Sequence, residues 1–296
     1  MPTKYSLTLI IASLIGFAVL FGPRYLNRPE PTFDGQQALE DVEFQVDLGP
    51  RIPGEEGHTA FREWLGTELY AAGWQVEEQV ITLPNGRKAH NVIASRRGRQ
   101  SIPRNWVILG AHYDTRIHAD EDPDPAKRTY PVPGANDGAS GVAVLLELAR
   151  ALPEKSPVWL VFFDAEDNGR IPEWDWIMGS RAFVASLEQH PEAVVIVDMV
   201  GDADLSLPIE RNSDPALAAE IWSTAASLGY SSVFRPLPGY SLIDDHTPFL
   251  EAGIPAVDII DFDYPYWHTT EDTPDKVSAQ SLQIVGDTLL AWLLDR

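Results

Sequence analysis

The apolar residues of this chain follow two patterns that alternate from about residue 106 to the C-terminus. Short unbroken runs, rich in β-branched and aromatic residues, predict strands that are buried on both faces. Stretches in which apolar residues recur three or four positions apart predict amphipathic helices. The strand-like runs cover residues 106–109, 158–163, 193–197 and 256–260, and the helix-like stretches cover 35–48, 55–72, 142–152, 178–187, 214–228 and 278–294.

This alternation predicts an α/β fold, in which a single globular domain has a mainly parallel, mixed β-sheet flanked by helices. A length of 296 residues with 44% hydrophobic residues suits one large core over residues 34–296. In sheets of this kind, ligands bind beyond the carboxyl ends of the strands. The segments that follow the four predicted strands are therefore the expected location of the chemistry.

Carboxylate and imidazole side chains occur at the expected strand ends and at the start of one helix. In chain order they are His112 and Asp114, Asp137 near the helix that begins at about 138, Glu166 and Asp167, Asp198, and His268. Taken alone, Asp137 could equally be the N-cap of its helix. Their recurrence at one edge of the sheet favours a shared site, and histidine with carboxylate ligands suits catalytic zinc.

Three further interpretations follow from the surroundings of individual residues. Asp114 lies two residues after His112, so it would hold that imidazole or a neighbouring ligand in place. The adjacent carboxylates Glu166 and Asp167 fit a division of roles, in which one binds the metal and the other moves protons. His58 lies in a charged helical stretch and is interpreted as a surface residue.

The composition excludes several classes of protein. With 44 acidic and 22 basic residues the net charge is −22, which predicts no nucleic-acid binding because phosphate contacts need clustered Lys and Arg. The chain has no Cys, so disulfides, thiolate zinc ligands and Cys nucleophiles are excluded. A serine hydrolase is disfavoured because the sequence has no Gly-x-Ser-x-Gly motif.

An apolar, uncharged segment covers residues 6–22. A buried core helix is one interpretation of it, but its length and position favour an export signal or membrane anchor over residues 1–22. No small-x-small cleavage site stands out near its end, which favours an uncleaved anchor, and residues 23–33 read as a linker. We therefore expect an exported protein with an extracytoplasmic catalytic domain, which contacts the membrane only through this segment.

Four segments resemble motifs of the M28 zinc-peptidase-like family. They are Gly-Pro-Arg-Ile-Pro-Gly at 49–54, Gly-Ala-His-Tyr-Asp at 110–114, Gly-Ala-Asn-Asp-Gly at 134–138 and Trp-His-Thr-Thr at 267–270. In a two-zinc aminopeptidase of this family, the resemblance implies two metal sites that share Asp137 as a bridging ligand. The implied ligands are His112, Asp137 and Asp198 for one zinc, and Asp137, Asp167 and His268 for the other. Glu166 would be the acid/base.

Within that family the chain more closely resembles the bacterial glutaminyl-peptide cyclotransferases, or glutaminyl cyclases. The similar segments are 162–169, 178–181, 198–201 and 244–249, together with the Trp directly before His268. This resemblance implies a single zinc and an acyl-transfer reaction on peptide or protein N-termini. The α-amine of an N-terminal Gln attacks its own side-chain amide, which forms pyroglutamate and releases ammonia.

For a cyclase, the resemblance implies that Asp137, Asp167 and His268 hold the zinc and that Glu166 carries the proton. The resemblance also implies that Asp198 and Asp244 form a carboxylate network that raises the pKa of Glu166. It further implies that Trp267, Tyr264 and Trp174 form the wall of the substrate pocket. The one-zinc cyclase and the two-zinc aminopeptidase both stay open, because the ligands for two metals are present. Trp267 and the segments 179–181 and 244–246 favour the cyclase. The intact ligand set argues against a third interpretation, a binding domain without catalysis.

Overall fold

The central sheet of the protein has six strands in the computed structural model, which describes residues 31–98, 102 and 105–296. Across the sheet the strands follow the order β1-β2-β4-β3-β5-β8, and β6 and β7 form a separate pair. The strands are β1 (Gln75–Thr82), β2 (Lys88–Ser95), β3 (Val107–His112), β4 (Val158–Phe163), β5 (Ala193–Asp198), β6 (Leu207–Ile209), β7 (Phe234–Pro238) and β8 (Ala256–Ile260). Strands β4, β3, β5 and β8 are parallel, whereas β2 runs antiparallel to both β1 and β4.

Helices cover both faces of this sheet, because successive side chains of a strand point to opposite faces. Leu109 of β3 lies in the larger core, on one face of the sheet. The preceding residue, Ile108, lies in a second core on the other face, together with Phe183 and Phe249. The helices are α1 (Gly35–Asp47), α2 (Glu56–Ala71), α3 (Ala139–Ala151), α4 (Met178–Ala185), α5 (Pro215–Ser227), α6 (Thr247–Glu251) and α7 (Ala279–Leu294), with a 3-10 turn at Pro274–Lys276. Helices α4 and α6 supply Phe183 and Phe249 to the second core, and the other five helices contribute to the larger one.

The fold confirms the predicted α/β class with a mainly parallel, mixed sheet. All four predicted strands and all six predicted helices are present, with ends that differ by a few residues. The hairpin formed by β1 and β2 and the small β6–β7 sheet were not predicted. Asp137 is not a helix cap, because the N-cap of α3 is Gly138, which makes no side-chain capping bond.

His58 of α2 is buried, which shows that its interpretation as a surface residue was wrong. Its Nε2 atom lies 2.7 Å from the Asp164 carboxylate, and the hydroxyl of Tyr113 lies 3.1 Å from the same nitrogen. The backbone N–H of His90 also donates to Asp164. The acidic neighbours Glu55, Glu56 and Glu63 are exposed, so local composition misrepresents this position.

The predicted signal or anchor over residues 1–22, and most of the predicted linker over 23–33, lie outside the described residues. The described chain forms a compact unit from Phe33 to Arg296. Within this part, no helix is both long enough and apolar enough to cross a bilayer.

Candidate active site

The carboxyl ends of the parallel strands bring the predicted ligands together. His112 is the last residue of β3 and Asp198 the last of β5. Glu166 and Asp167 lie in the loop after β4, His268 lies in the loop after β8, and Asp137 lies two residues before α3. All of these side chains are buried. The order of the strands reverses around β3, which is where α/β sheets open a crevice for ligands.

Two groups of ligand atoms share Asp137. In the first group, His112 Nε2 lies 3.1 Å from Asp137 Oδ1 and 3.1 Å from Asp198 Oδ1. In the second group, His268 Nε2 lies 2.7 Å from Asp167 Oδ1 and 3.7 Å from Asp137 Oδ2. Within each group the three ligand atoms lie within 4.8 Å of one another. Asp137 therefore presents one carboxylate oxygen to each group, as a bridging ligand does.

The charge and hydrogen bonding of this site fit a bound cation. Among the described residues, no hydrogen-bond donor reaches Oδ2 of Asp137 or Oδ2 of Asp167. A buried carboxylate oxygen without a partner is costly, so a positive charge is expected beside it. Five carboxylates line one cavity here: Asp137, Glu166, Asp167, Asp198 and Asp244. A divalent ion would offset part of this charge, and imidazole with carboxylate donors suits zinc.

Asp114 fixes the loop that carries two of the functional carboxylates. Its Oδ1 accepts the backbone N–H of Glu166 at 2.9 Å, and its Oδ2 accepts that of Asp167 at 3.3 Å. Oδ2 also accepts the side-chain amide of Asn168 at 3.2 Å. The ring of His112 is farther away, with Nδ1 3.7 Å from Asp114 Oδ1. Of the two roles predicted for Asp114, the geometry favours holding the neighbouring ligand.

Replacing Asp114 by Asn should weaken zinc binding about 10- to 100-fold, which is the usual effect of removing a group that orients a ligand. Asparagine keeps one accepting oxygen, but its amide nitrogen is only a donor, so one of the two backbone N–H groups loses its acceptor and the loop that carries Asp167 is held less firmly. Competition with a zinc chelator measures this change. The exposed Asp204 supplies a matched control, and Asp204→Asn should leave the affinity unchanged. Equal affinity in both variants would contradict this role for Asp114.

Tyr264 supports the site from behind and does not line the cavity. Its hydroxyl donates to Asp272 Oδ1 at 2.7 Å, and the same carboxylate accepts the backbone N–H groups of Asn136 (2.8 Å) and Asp137 (3.2 Å). Tyr264 thus holds Asp272, which in turn holds the bridging ligand. This corrects its predicted role as a pocket wall. Asp272 was not predicted, because an Asp in a polar loop gives no signal in the sequence.

Arg116 and Asp120 support the second group of ligands and were also missed. The buried Arg116 guanidinium donates to the backbone carbonyl of Asp167 at 2.6 Å and makes two bonds to the Asp120 carboxylate. Asp120 also approaches the ring of His268, whose Nδ1 atom, on the side away from Asp167, lies 3.6 Å from Asp120 Oδ1. A carboxylate beside the free nitrogen of a ligand histidine fixes its orientation.

The cavity in front of these carboxylates has a volume of about 290 Å³. One side is aromatic and is formed by Trp176, Phe262 and Trp267. The Trp267 ring stacks on His268, with centroids 3.8 Å apart and planes at 23°. Trp174, which was predicted in this wall, instead packs on Leu83, Ala89 and Ala165. The prediction was therefore two residues off, and the indole in the wall is that of Trp176.

Trp176 is held in place by close packing. Its ring lies nearly parallel to that of His268, at 12° and 6.3 Å between centroids, and the Arg116 guanidinium lies 5.2 Å from its centre. A Cβ atom at Gly169 would approach the indole to 2.1 Å. Only glycine therefore fits at position 169 while the indole keeps this position.

Burial raises the pKa of Glu166 well above its usual range. The imidazole of His112 opposes this shift, whereas the charge of Asp244, followed by those of Asp167 and Asp245, adds to it. Burial also raises the pKa of Asp198 to about 7. A carboxylate with a raised pKa can both take up and release a proton near neutral pH, which is what a general acid/base needs.

A buried imidazole lies behind Asp244. His246 Nε2 lies 3.3 Å from Glu210 Oε2, and its Nδ1 lies 3.7 Å from Asp258 Oδ2. Glu210 in turn accepts the backbone N–H of Leu242 at 2.9 Å. These contacts fix the segment from 242 to 246 and, with it, the position of Asp244 at the cavity. Glu210 and Asp258 were not predicted, and His246 was noted only as part of the 244–249 segment.

Strained backbone accompanies the functional side chains. Ala165, Met199 and His268 have φ angles of 55°, 45° and 55°. Left-handed conformations of this kind cost residues other than glycine about 1–3 kcal/mol each, and they persist where the surrounding structure enforces them. Ala165 precedes Glu166, Met199 follows Asp198 and His268 is itself a candidate ligand, so the strain lies at or directly beside the side chains of the site.

The fold and the ligand groups together define a zinc-exopeptidase-like α/β metalloenzyme. The sequence pattern of peptidase family M28 matches residues 91–293, more than half of the chain, and the protein belongs to this family. This confirms the resemblance that the motifs indicated.

Solved structures and sequence relatives agree with this assignment. A glutaminyl cyclase from Bacteroides thetaiotaomicron, bound to N-acetylhistamine, is 32% identical, with a TM-score of 0.84 over 90% of this chain and 100% of that one. A Zn-dependent exopeptidase from Parabacteroides distasonis is also 32% identical, with a TM-score of 0.82 and the same coverage. The glutaminyl-peptide cyclotransferase of Boiga irregularis is 26% identical over 303 aligned positions, which cover 85% of this chain and 80% of that protein.

Proposed function

We propose that this protein is a zinc-dependent glutaminyl-peptide cyclotransferase, which converts the N-terminal Gln of peptides into pyroglutamate and releases ammonia. The observation that carries this proposal is the placement of Glu166. Its carboxylate lines the same small, aromatic-walled cavity as Asp137 and Asp167, and its pKa is raised. The similarity to solved glutaminyl cyclases supports the same function.

In this reaction the side chains divide the work. A zinc ion held by Asp137, Asp167 and His268 would supply a Lewis acid that polarises the side-chain amide carbonyl of the substrate. Glu166 takes a proton from the attacking α-amine and delivers one to the leaving amide nitrogen, so ammonia departs as the lactam C–N bond forms. Trp267 and the wall around it enclose the Gln side chain and exclude water.

Because the attack is intramolecular, it needs few catalytic groups besides the zinc and Glu166. Nucleophile and electrophile belong to the same substrate residue, so holding the Gln side chain in a folded conformation supplies most of the required proximity. A cavity of about 290 Å³ suits a single side chain with its α-amine. Extended binding of a long peptide is not required for the chemical step.

A second candidate function is a two-zinc aminopeptidase. It is favoured by the first group of ligand atoms, in which His112 Nε2 lies 3.1 Å from both Asp137 and Asp198. The similarity to a Zn-dependent exopeptidase is consistent with it. For the cyclase, His112 and Asp198 shape the site without a metal of their own, and Asp198 belongs to the carboxylates around Glu166.

Incubation of the purified, zinc-loaded protein with a Gln-initiated peptide distinguishes the two functions. A cyclase produces a peptide that is lighter by the mass of one ammonia, together with ammonia itself, and leaves the peptide bonds intact. An aminopeptidase releases free amino acids. The same peptide with an acetylated α-amine is the control, because a blocked nitrogen cannot attack. Release of amino acids without ammonia would reject the proposed function.

The pH dependence should report the influence of Asp244 on Glu166. Glu166 accepts a proton only when ionised, so kcat/KM falls as the pH drops below the pKa of Glu166. The charge of Asp244 contributes to raising that pKa. In Asp244→Asn the pKa of Glu166 should be lower, and the acid limb of the profile should shift to lower pH.

Parallel pH profiles of the wild type and Asp244→Asn with one substrate measure this shift. The titration of the substrate amine is common to both profiles and does not contribute to the difference. Asp204→Asn, which removes one exposed carboxylate far from Glu166 in sequence, should give the wild-type profile. An unmoved acid limb in Asp244→Asn would show that Asp244 does not act on Glu166.

We also propose that the protein is exported and held at the membrane by residues 1–22, with its catalytic domain outside the cytoplasm and peptide or protein N-termini as its substrates. The support is the uncharged apolar segment at 6–22. Membrane fractionation of the full chain, followed by N-terminal sequencing, tests this. An intact N-terminus in the membrane fraction is expected, and a soluble chain that begins after residue 22 would indicate cleavage.

A further inference from the structure

The lining of the catalytic cavity is strongly uneven in charge. Five carboxylates line it, and Arg170 is the single basic side chain among the described residues that do so. The carboxylates are buried, whereas Arg170 is exposed. The one positive charge therefore lies at the rim of the cavity, and the negative charges lie at its floor.

The backbone beneath Arg170 is firmly held. The buried Arg116 guanidinium donates to the carbonyl of Gly169 at 3.3 Å. On the same side, Asn168 accepts the N–H of Ile117 at 2.9 Å and donates its side-chain amide to Asp114 at 3.2 Å. Arg170 itself has a left-handed backbone, with φ of 63°. These contacts keep the base of its side chain at the rim.

The guanidinium of Arg170 has no acidic partner within the part of the chain that the structure describes. Several other arginines are engaged by carboxylates, whereas the exposed Arg211 and Arg235 have no such partner among the described residues; Arg170 differs from these two because it lines the cavity. Examples of these ion pairs are Arg62–Glu78, Arg87–Glu55, Arg150–Asp41, Arg181–Glu251 and Arg296–Glu220. In a chain with twice as many acidic as basic residues, an unpaired arginine at the mouth of the active site is available for a ligand.

The expected path of the substrate passes this guanidinium. This step rests on the proposed function, which places the Gln side chain at Asp137, Asp167 and His268 and its α-amine at Glu166. The peptide then leaves the cavity through the rim, so its second and third residues pass Arg170. We propose that Arg170 binds a carboxylate of the substrate near this point and makes the enzyme prefer N-terminal Gln followed by an acidic group. Arginine suits this role because its planar fork can bind a carboxylate with two parallel hydrogen bonds.

The net negative charge of the protein opposes the binding of acidic peptides. A protein of charge −22 with five carboxylates in its cavity repels acidic peptides. A cation at the rim offsets that repulsion locally, where the acidic group of the substrate lies. An acidic side chain and the C-terminal carboxylate of a very short peptide have the same chemistry, and the substrates below distinguish them.

The test compares kcat/KM for four peptides. Gln-Ala-Ala-amide carries no carboxylate, Gln-Glu-Ala-amide and Gln-Ala-Glu-amide carry an acidic side chain, and Gln-Ala carries a free C-terminal carboxylate. Arg170→Gln should lower kcat/KM for the acidic substrates by about fivefold, the upper range for an exposed ion pair. The loss should fall mainly on KM. Gln-Ala-Ala-amide should change by less than about twofold, since it offers Arg170 no charge. The substrate with the largest loss identifies the position and type of carboxylate that Arg170 binds.

Two controls separate a specific contact from a general change in charge. Arg235→Gln removes the same charge from β7, outside the cavity lining, and should leave the preference for acidic peptides unchanged. Raising the salt concentration should reduce the preference in the wild type and have little effect in Arg170→Gln. Arg170→Lys should recover part of the preference.

Failure of the inference about Arg170 can be distinguished from failure of the proposed cyclase function. If ammonia is released from the neutral peptide and Arg170→Gln lowers kcat/KM equally for neutral and acidic substrates, the inference about Arg170 is wrong while the cyclase function stands. The inference is also wrong if Arg235→Gln reproduces the loss. If no Gln peptide releases ammonia, the proposed function fails and the assignment of Arg170 fails with it.

Discussion

Replacing Glu166 by Gln should lower kcat on a Gln-initiated peptide by about 10²- to 10⁴-fold, the usual contribution of a general acid/base, while zinc stays bound. Glutamine has nearly the same shape as glutamate, so the cavity keeps its form. It can neither take the proton from the α-amine nor deliver one to the leaving nitrogen. The neighbouring ligand Asp167 is untouched, and its backbone N–H keeps its bond to Asp114.

Zinc content and activity must be measured on the same preparation, because Glu166 and Asp167 are adjacent. Glu188→Gln is a suitable control, since Glu188 is exposed and does not line the cavity. It should leave both quantities unchanged. If Glu166→Gln lost zinc together with activity, Glu166 would be a ligand and Asp167 the proton carrier. Full activity in Glu166→Gln would exclude it from the chemistry altogether.

The core of the fold could be predicted because its strands are buried on both faces. Strands such as β4, with six consecutive apolar residues, stand out in any sequence. The carboxyl ends of these strands then gave the site, since His112 and Asp198 are the last residues of β3 and β5. A rule about where ligands bind in such sheets was enough to select residues that lie far apart in the chain.

Strand β1, at the edge of the sheet, was missed for the opposite reason. β1 has exposed or half-buried positions along its whole length, including Glu77 and Glu78, so it gives no apolar run. The turn that joins it to β2 contains Asn85 and Gly86, a pair common in tight turns, and this was the available signal. An edge strand needs only one paired side, and its composition therefore resembles that of a loop.

Side chains that support the site could not be predicted, because their role depends on contacts across the fold. Asp272 acts by holding the N–H groups of Asn136 and Asp137, more than 130 positions away in sequence. The choice between Trp174 and Trp176 depends on the course of one loop. Trp176 reaches the cavity because Gly169 lets its indole pack closely, whereas Trp174 lies in a separate apolar cluster.

Alanine variants of the two candidate ligand histidines form a matched pair, and comparing them shows how many zinc ions the reaction uses. His268→Ala and His112→Ala each remove one imidazole from one ligand group, and both groups share Asp137. For a cyclase, His268→Ala should lose the zinc and reduce activity by at least about 10²-fold, because Lewis-acid catalysis contributes several kcal/mol. His112→Ala should keep one zinc per chain and retain most of its activity. For an aminopeptidase, the wild type holds two zinc ions and each variant loses one.

The zinc-to-protein ratio of the wild type and the two variants, measured after removal of loosely bound metal, separates these cases. Thermal unfolding of the same samples shows whether each variant is folded, since both histidines are buried. Asp137→Ala should lose zinc under either function, because Asp137 Oδ1 faces His112 while Asp137 Oδ2 faces His268. A His112→Ala variant that loses half of two bound zinc ions and all activity would contradict the cyclase. The oxygen of Asp137 that faces His112 would then belong to a second catalytic metal.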